Sequence, residues 1–365
     1  MFASRVSRFS SSLASLASRQ IVKSQHAKEQ QVGIGGIVRR SFGIAEKRHH
    51  DPFLVLDEFW VGAKGGFPDH PHRGFETVTY VLKGNGLRHE DFAGHAGMVG
   101  PGDLQWMTAG QGILHSEMPV TTEASLASAS VENYDVCKDP NAVHGLQLWV
   151  NLSSKDKRCP PAYQDLKDAQ IPRARPTEGV EIKVIAGESN GVKSKVYTRT
   201  PTMYLDFKLQ KNQSVRQAIP KDYSGFIYMI SGEAYFGEGT LPSGQDPSQQ
   251  TEDVGKDDEK EKCFKTNTNP SGPFLGRMQH ALILSEDDGT DCLQIRTTDK
   301  EAHFILFAGQ PLKEPIVQDL LFVMNTKEEV KQAIEDFKEA KNGFENAKHW
   351  KSTIAPKGLK LGLYK

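Results

Sequence analysis

The chain has 365 residues, 25% of them charged, and a formal net charge of −1. That length accommodates two domains of ordinary size. The balanced charge argues against direct nucleic-acid binding, which needs a basic stripe, and no apolar run is long enough to span a bilayer.

The first 28 residues stand apart. They hold Arg5, Arg8, Arg19, Lys23 and Lys28, eight serines, and no acidic residue. Phe2, Val6, Phe9, Leu13 and Leu16 recur at spacings of three and four, an apolar stripe on a helix. Residues 1–28 therefore read as an organellar transit peptide, with the mitochondrion the first destination and the plastid the second. Gly33-Ile34-Gly35-Gly36 lacks the helix and acidic residue of a phosphate loop and reads as a flexible lead-in.

Short apolar runs bounded by Gly, Pro, Asn and Asp follow: 53–59, 76–82, 146–151, 195–197, 204–209, 226–230 and 303–308. They are strand-length and rich in Val, Ile, Phe and Tyr. Gly84-Asn85-Gly86 and Pro101-Gly102-Asp103 supply tight turns. The chain to about residue 320 is thus all-β, of sandwich or barrel kind. Tyr80-Val81-Leu82-Lys83-Gly84 is echoed by Tyr228-Met229-Ile230-Ser231-Gly232, as two stacked barrels of similar topology would require. Residues 29–165 form the expected first domain and 166–320 the second. Thr121 to Val143 and the charged stretch 243–273 read as surface insertions, the latter a mobile loop. Beyond 320, Asn325 and Thr326 cap an expected helix carrying Val330, Ile334 and Phe337, closed by Asn342-Gly343. Phe344, Ala347 and Trp350 suggest a second helical stretch, so 321–365 is a helical segment.

Chemistry concentrates in the first domain. His70 and His72 are two residues apart, so in a strand they share a face and can grip one ion. His115 and Glu117 repeat that spacing beyond a returning turn. Facing each other, the pairs supply three imidazoles and one carboxylate, a set that leaves open positions on an octahedral metal. The absence of thiolates points to Fe(II), with Mn, Ni or Cu as substitutes. Glu76 is either a further ligand or a group orienting a histidine. His89 and His95 flank a glycine-containing turn and read as supporting or surface groups. His144, His280 and His303 stand singly, and the second half, without an HxH pair, is expected to hold no metal. Cys137, Cys159, Cys263 and Cys292 form no CxxC pair and read as free thiols of a reducing compartment.

Several runs carry a family resemblance. They are Asp51-Pro52-Phe53-Leu54-Val55-Leu56-Asp57-Glu58-Phe59, Gly66-Phe67-Pro68-Asp69-His70-Pro71-His72-Arg73-Gly74-Phe75-Glu76, Gly102-Asp103-Leu104-Gln105-Trp106-Met107-Thr108-Ala109-Gly110 and Gly112-Ile113-Leu114-His115-Ser116-Glu117. Ala340-Lys341-Asn342-Gly343-Phe344-Glu345 extends the match nearly to the end. On these the chain resembles the pirins, of the cupin superfamily. The resemblance implies a bicupin with a C-terminal helix, one Fe(II) in the N-terminal barrel, and a C-terminal barrel that has lost its ligands. The ligands carry over as His70, His72, His115 and Glu117; Glu76, a ligand in many other cupins, becomes a bystander. Pirins resemble quercetin 2,3-dioxygenases, which implies O2 and a small aromatic or enediol substrate, with Glu117 as catalytic base. The competing implication is an iron- and redox-dependent transcription cofactor that binds a transcription factor in the nucleus and cytoplasm. A blander alternative is a metal-dependent scaffold. The leader stands against carrying the usual pirin location over to this chain.

Overall fold

Aromatic and β-branched residues that alternate between faces need a sheet to bury them. In the computed structural model, nearly every such run lies in an antiparallel ladder. The structure describes residues 17–43, 49–241, 264–266 (backbone only), 272–286 and 289–356. The chain divides into two units. One comprises Lys28–Gln170 with Leu312–Lys365, here the first barrel; the other joins the stretch up to Ala27 to Ile171–Pro311, the second barrel.

The second barrel begins with β1 (Ile21–His26), which pairs with strand His280–Leu284. That strand lies beside Ser224–Phe236, followed in the sheet by Ala302–Gly309, Thr202–Leu209 and Val180–Ala186. Leu205, Phe207, Ile227, Phe236, Phe304 and Leu306 fill its core, with Phe207 and Phe304 stacked 4.9 Å apart.

Two expectations need correction here. The end of the expected leader is folded structure: Arg19 is 1% exposed, and its guanidinium donates to the carbonyls of Tyr223 (2.6 Å) and Pro220 (2.7 Å). Residues 1–16 of that leader lie outside the described residues. Residues 195–197 are not a strand. The Ser194 hydroxyl bonds the Ile185 carbonyl and accepts from the Val196 amide, so local side-chain bonds replace a ladder, and Tyr197 is exposed.

The first barrel opens with a hairpin of β2 (Lys28–Val32) and β3 (Ile34–Phe42), in place of the flexible lead-in expected at Gly33 to Gly36. Gly33 turns the chain at φ +58, and a Cβ there would lie 2.8 Å from the Gly66 carbonyl, which explains the glycine. Next come β4 (Phe53–His72), β5 (Phe75–Lys83), β6 (Leu87–Asp91), β7 (Ala96–Val99), β8 (Leu104–Thr108), β9 (Ile113–Pro119), β10 (Val143–Asn151) and β11 (Ala162–Leu166). Their order in the sheet is β11-β8-β5-β10-β4-β9-β6-β7. Strand β4 does double duty. Its first half pairs with β10 and β3, and its last residues pair with β9 across a register shift between Phe67 and His70.

The insertion 121–143 contains a helix at Glu123–Ser128, capped by Thr122, and sets Val136 and Ala142 against Trp60. Of 243–273, residues 264–266 pair with β1, and most of the rest lies outside the described residues. The tail from Leu312 belongs to the first barrel. Its helix Lys327–Lys338 starts at Thr326 with a capping box to Glu329. The second helical stretch shrinks to one 3-10 turn, Glu345–Lys348, which excludes Trp350.

Candidate metal centre

The register of β4 against β9 assembles the site. His70 lies opposite His115 and Phe67 opposite Glu117, so residues far apart in sequence meet on one face. The imidazole centroids are 4.3 Å (His70–His115), 4.8 Å (His70–His72) and 5.0 Å (His72–His115) apart. One ring nitrogen from each lies within 4.8 Å of the other two. All three residues are at least 94% buried, being 6%, 3% and 2% exposed.

Buried imidazoles normally find hydrogen bonds. His70 does: its Nδ1 is 2.9 Å from the Pro68 carbonyl, so Nδ1 donates and Nε2 keeps a free lone pair. His72 also makes a hydrogen bond, with the Leu321 backbone, but its Nδ1 is buried without a partner, as are both nitrogens of His115. Burial lowers His70 to about 4, against the raising effect of the Pro68 carbonyl. Burial also holds His72 and His115 well below the ordinary imidazole value, helped by their neighbours' charge. Neutral imidazoles with unspent lone pairs are what a metal ion takes.

Glu117 is 3% exposed. Its Oε1 accepts from the Thr79 hydroxyl at 3.3 Å. Burial pushes the carboxyl up to about 7, against hydrogen bonds from Thr79 and Gln147 that favour the charged form. Its oxygens fall outside the three-histidine cluster. Glu76 is tied elsewhere, accepting from the Thr108 hydroxyl at 2.7 Å, and is likewise outside the cluster. His144 stacks on Trp60 and bonds Glu58 at 2.8 Å, and His303 bonds Asp206 at 2.8 Å.

Supporting groups escaped the sequence reading. Arg73, directly after His72, is fully buried and bonds Asp336 of the tail helix (2.7 Å) and the carbonyls of Gln111 and Asn342 (both 2.5 Å). Lys157 is 1% exposed, and its ammonium donates to the Gly74 and Val323 carbonyls and to Asn151 Oδ1. Gly74 has φ +90, and a Cβ there would be 1.9 Å from the Val323 oxygen. The turn carrying the histidines is therefore clamped by the tail. Nothing in the spacing of these residues signals that.

A second cluster also went unrecognised. His89, His95 and Asp165 bring one ligand atom each within 4.8 Å of one another. His89 is 4% exposed and faces Glu117 in the β6–β9 register, so it is no surface group.

Comparison with known proteins supports one lineage. Residues 36–150 match the family described as Pirin, and residues 276–343 match the one described as Pirin C-terminal cupin domain. Human pirin is 47% identical, covering 93% of this chain and 99% of its own length. A pirin-like protein of tomato (Solanum lycopersicum) is 43% identical, with 93% and 99% covered. Among solved structures, a quercetin 2,3-dioxygenase from Acinetobacter baumannii superposes with a TM-score of 0.66 at 28% identity, covering 89% of this chain and 98% of its own. The bacterial pirin YhhW of Escherichia coli, solved in complex with nickel(II), matches at a TM-score of 0.52 and 17% identity over 79% of this chain and 98% of its own, a likeness of fold alone.

Proposed function

The chain belongs to the pirin family, and on that premise we propose that its first barrel is an Fe(II)-dependent oxygenase of quercetin 2,3-dioxygenase type. His70, His72, His115 and Glu117 carry the proposed site. The observation behind it is the convergence of three buried imidazoles, with unpartnered nitrogens on His72 and His115, beside a buried carboxyl that titrates near neutrality. Nitrogen and oxygen donors without thiolate fit Fe(II), and suit Mn, Ni or Cu as substitutes. When bound, such an ion supplies a Lewis acid and redox capacity towards O2.

The chain's own residues supply the rest. Glu117 is ionised in part at neutral pH, so its carboxylate can take the proton of an enol or phenol hydroxyl. Thr79 and Gln147 hold it in place for that transfer. The Pro68 carbonyl fixes the tautomer of His70. Phe75 and Trp149 pack edge-on against His72, 5.1 and 5.4 Å between centroids, and exclude water from it. The 28% identity to a bacterial quercetin 2,3-dioxygenase supports a flavonol-like substrate.

Oxygen uptake by anaerobically prepared, Fe(II)-loaded protein on adding quercetin tests the reading, beside His115→Ala. Uptake by the parent and not the variant is the expected result. Iron bound without any uptake on quercetin or other enediols overturns catalysis and favours a redox-responsive regulatory role.

A further inference from the structure

Strands β6 and β11 bring together a second set of metal-type donors, separate from the three imidazoles of β4 and β9. His89 ends up 4% exposed, yet its imidazole makes no hydrogen bond among the described residues; its neighbours are rings and charges. An imidazole held among rings with no protein hydrogen bond keeps a lone pair that a bound cation can take. Gly97, its β6–β7 register partner, leaves the space beside the ring open: a Cβ there would come within 2.7 Å of His89 Nε2.

His95 and Asp165 complete the set. Nε2 of His95 is 3.1 Å from Oδ2 of Asp165. Two adjacent ligands at about 2.1 Å from an octahedral ion lie roughly 3.0 Å apart, so this pair already has nearly the required spacing. Nδ1 of His95 is buried and unpartnered. The other oxygen of Asp165 accepts from Gln105 Nε2 at 3.3 Å, which orients the carboxylate as outer partners of metal ligands do. Tyr163, two residues before Asp165 on the same strand face, stacks on His95 at 3.9 Å and fixes its plane.

The surrounding charge suits a cation. The Asp91 carboxylate acts on His89 through its charge, and Asp165 is 39% exposed, giving an entry path. Lys167, the nearby cation, is engaged by Asp103 Oδ2 and the Met98 carbonyl, both at 2.8 Å.

We propose that His89, His95 and Asp165 form a second divalent-metal site, for a borderline ion of the zinc or cobalt class. Two imidazoles and one carboxylate bind it, and water completes the coordination. The site does not depend on the oxygenase reading, because its donors are different residues.

Cobalt(II) is the probe. Tag-free full-length protein is stripped with a chelator, loaded with Co(II), desalted, and its cobalt measured. The parent is expected to retain about two ions per chain, and His95→Ala and a His70→Ala/His115→Ala double variant about one each. Asp165→Asn, on the half-exposed rim, should weaken the second ion by about 10-fold or more while circular dichroism is unchanged. One ion in the parent overturns the proposal, as does a second ion that survives in His95→Ala. If the double variant fails to fold, the Asp165→Asn titration decides alone: unchanged affinity for the second ion overturns the site.

Discussion

Arg73 and Asp336 form a fully buried ion pair, 2.7 Å between Nη1 and Oδ2, that spans 263 positions of sequence. It joins the residue after a candidate ligand to the tail helix. Burial alone would raise the Asp336 carboxyl, but hydrogen bonds from Arg73, Asn342 and Gln332 outweigh it and hold the group below the ordinary carboxylate value. Asp336→Ala strands a buried guanidinium and should cost about 3–5 kcal/mol in urea unfolding. The sign with pH follows from the lowered value. The stability from this pair is fully present above the unfolded carboxylate pKa of about 4 and is lost as pH falls through the folded one. A cost below 1 kcal/mol, or one unchanged on acidification, would show that the pair is not a clamp.

Lys157 presents a related test. Its ammonium meets three oxygen acceptors: the carbonyls of Gly74 and Val323, and Asn151 Oδ1. Lys157→Met fills similar volume but leaves those oxygens without their donor. A buried acceptor left unmade costs about 1–3 kcal/mol, so several together should lower the melting temperature clearly. Since Gly74 follows the histidine turn by two residues, metal affinity should fall in the same variant. Unaltered affinity would separate the lysine from the site.

The end of the expected leader predicts its own outcome. Ile21–His26 pairs with His280–Leu284, and Arg19 is buried on carbonyls of the same barrel. Deleting residues 1–28 removes a strand and leaves a sheet edge exposed, so that protein should aggregate or melt far earlier than one lacking residues 1–16. Equal melting of the two truncations would mean β1 adds nothing to the second barrel. If a leader is cleaved in the cell, the buried Arg19 places the cut before Ser18.

Much of this architecture is legible in the sequence for physical reasons. The run 76–82 is legible as a strand from its length and its β-branched and aromatic residues, and Thr326 with Glu329 announces a helix start as a capping box. His70 and His72 are legible because strand geometry alone puts them on one face, and His115 because it has the same spacing to Glu117. What stays hidden needs long-range register. Asp336 carries no mark that it will meet Arg73. His89 and His95 look incidental until β6 is laid against β9 and β11 returns with Asp165. Arg19 is misread because an acid-free, arginine- and serine-rich stretch has a targeting composition whether or not its end is a strand. Likewise Ser194 gives no warning that its hydroxyl will pull Val196 out of a ladder.

The three metal-site imidazoles predict how the metal-free protein responds to acid. His70 is lowered to about 4 by burial, and His72 and His115 lie well below their ordinary value. A histidine whose folded pKa is depressed favours folding fully above the unfolded value of about 6.5, and that contribution is lost as pH falls towards the folded one. Glu117 works the other way. Raised to about 7, it favours folding below the unfolded carboxyl value, with the gain lost as pH rises through 7. Three groups against one make the net effect a loss of stability between about pH 6.5 and 5. Urea unfolding of chelator-treated protein should show a midpoint that falls across that window. His115→Phe, which removes one titrating ring and keeps the volume apolar, should fall less steeply. A midpoint that holds or rises on acidification would mean that the imidazoles are not neutral and buried in the metal-free protein, and that the site is open to water before any ion arrives.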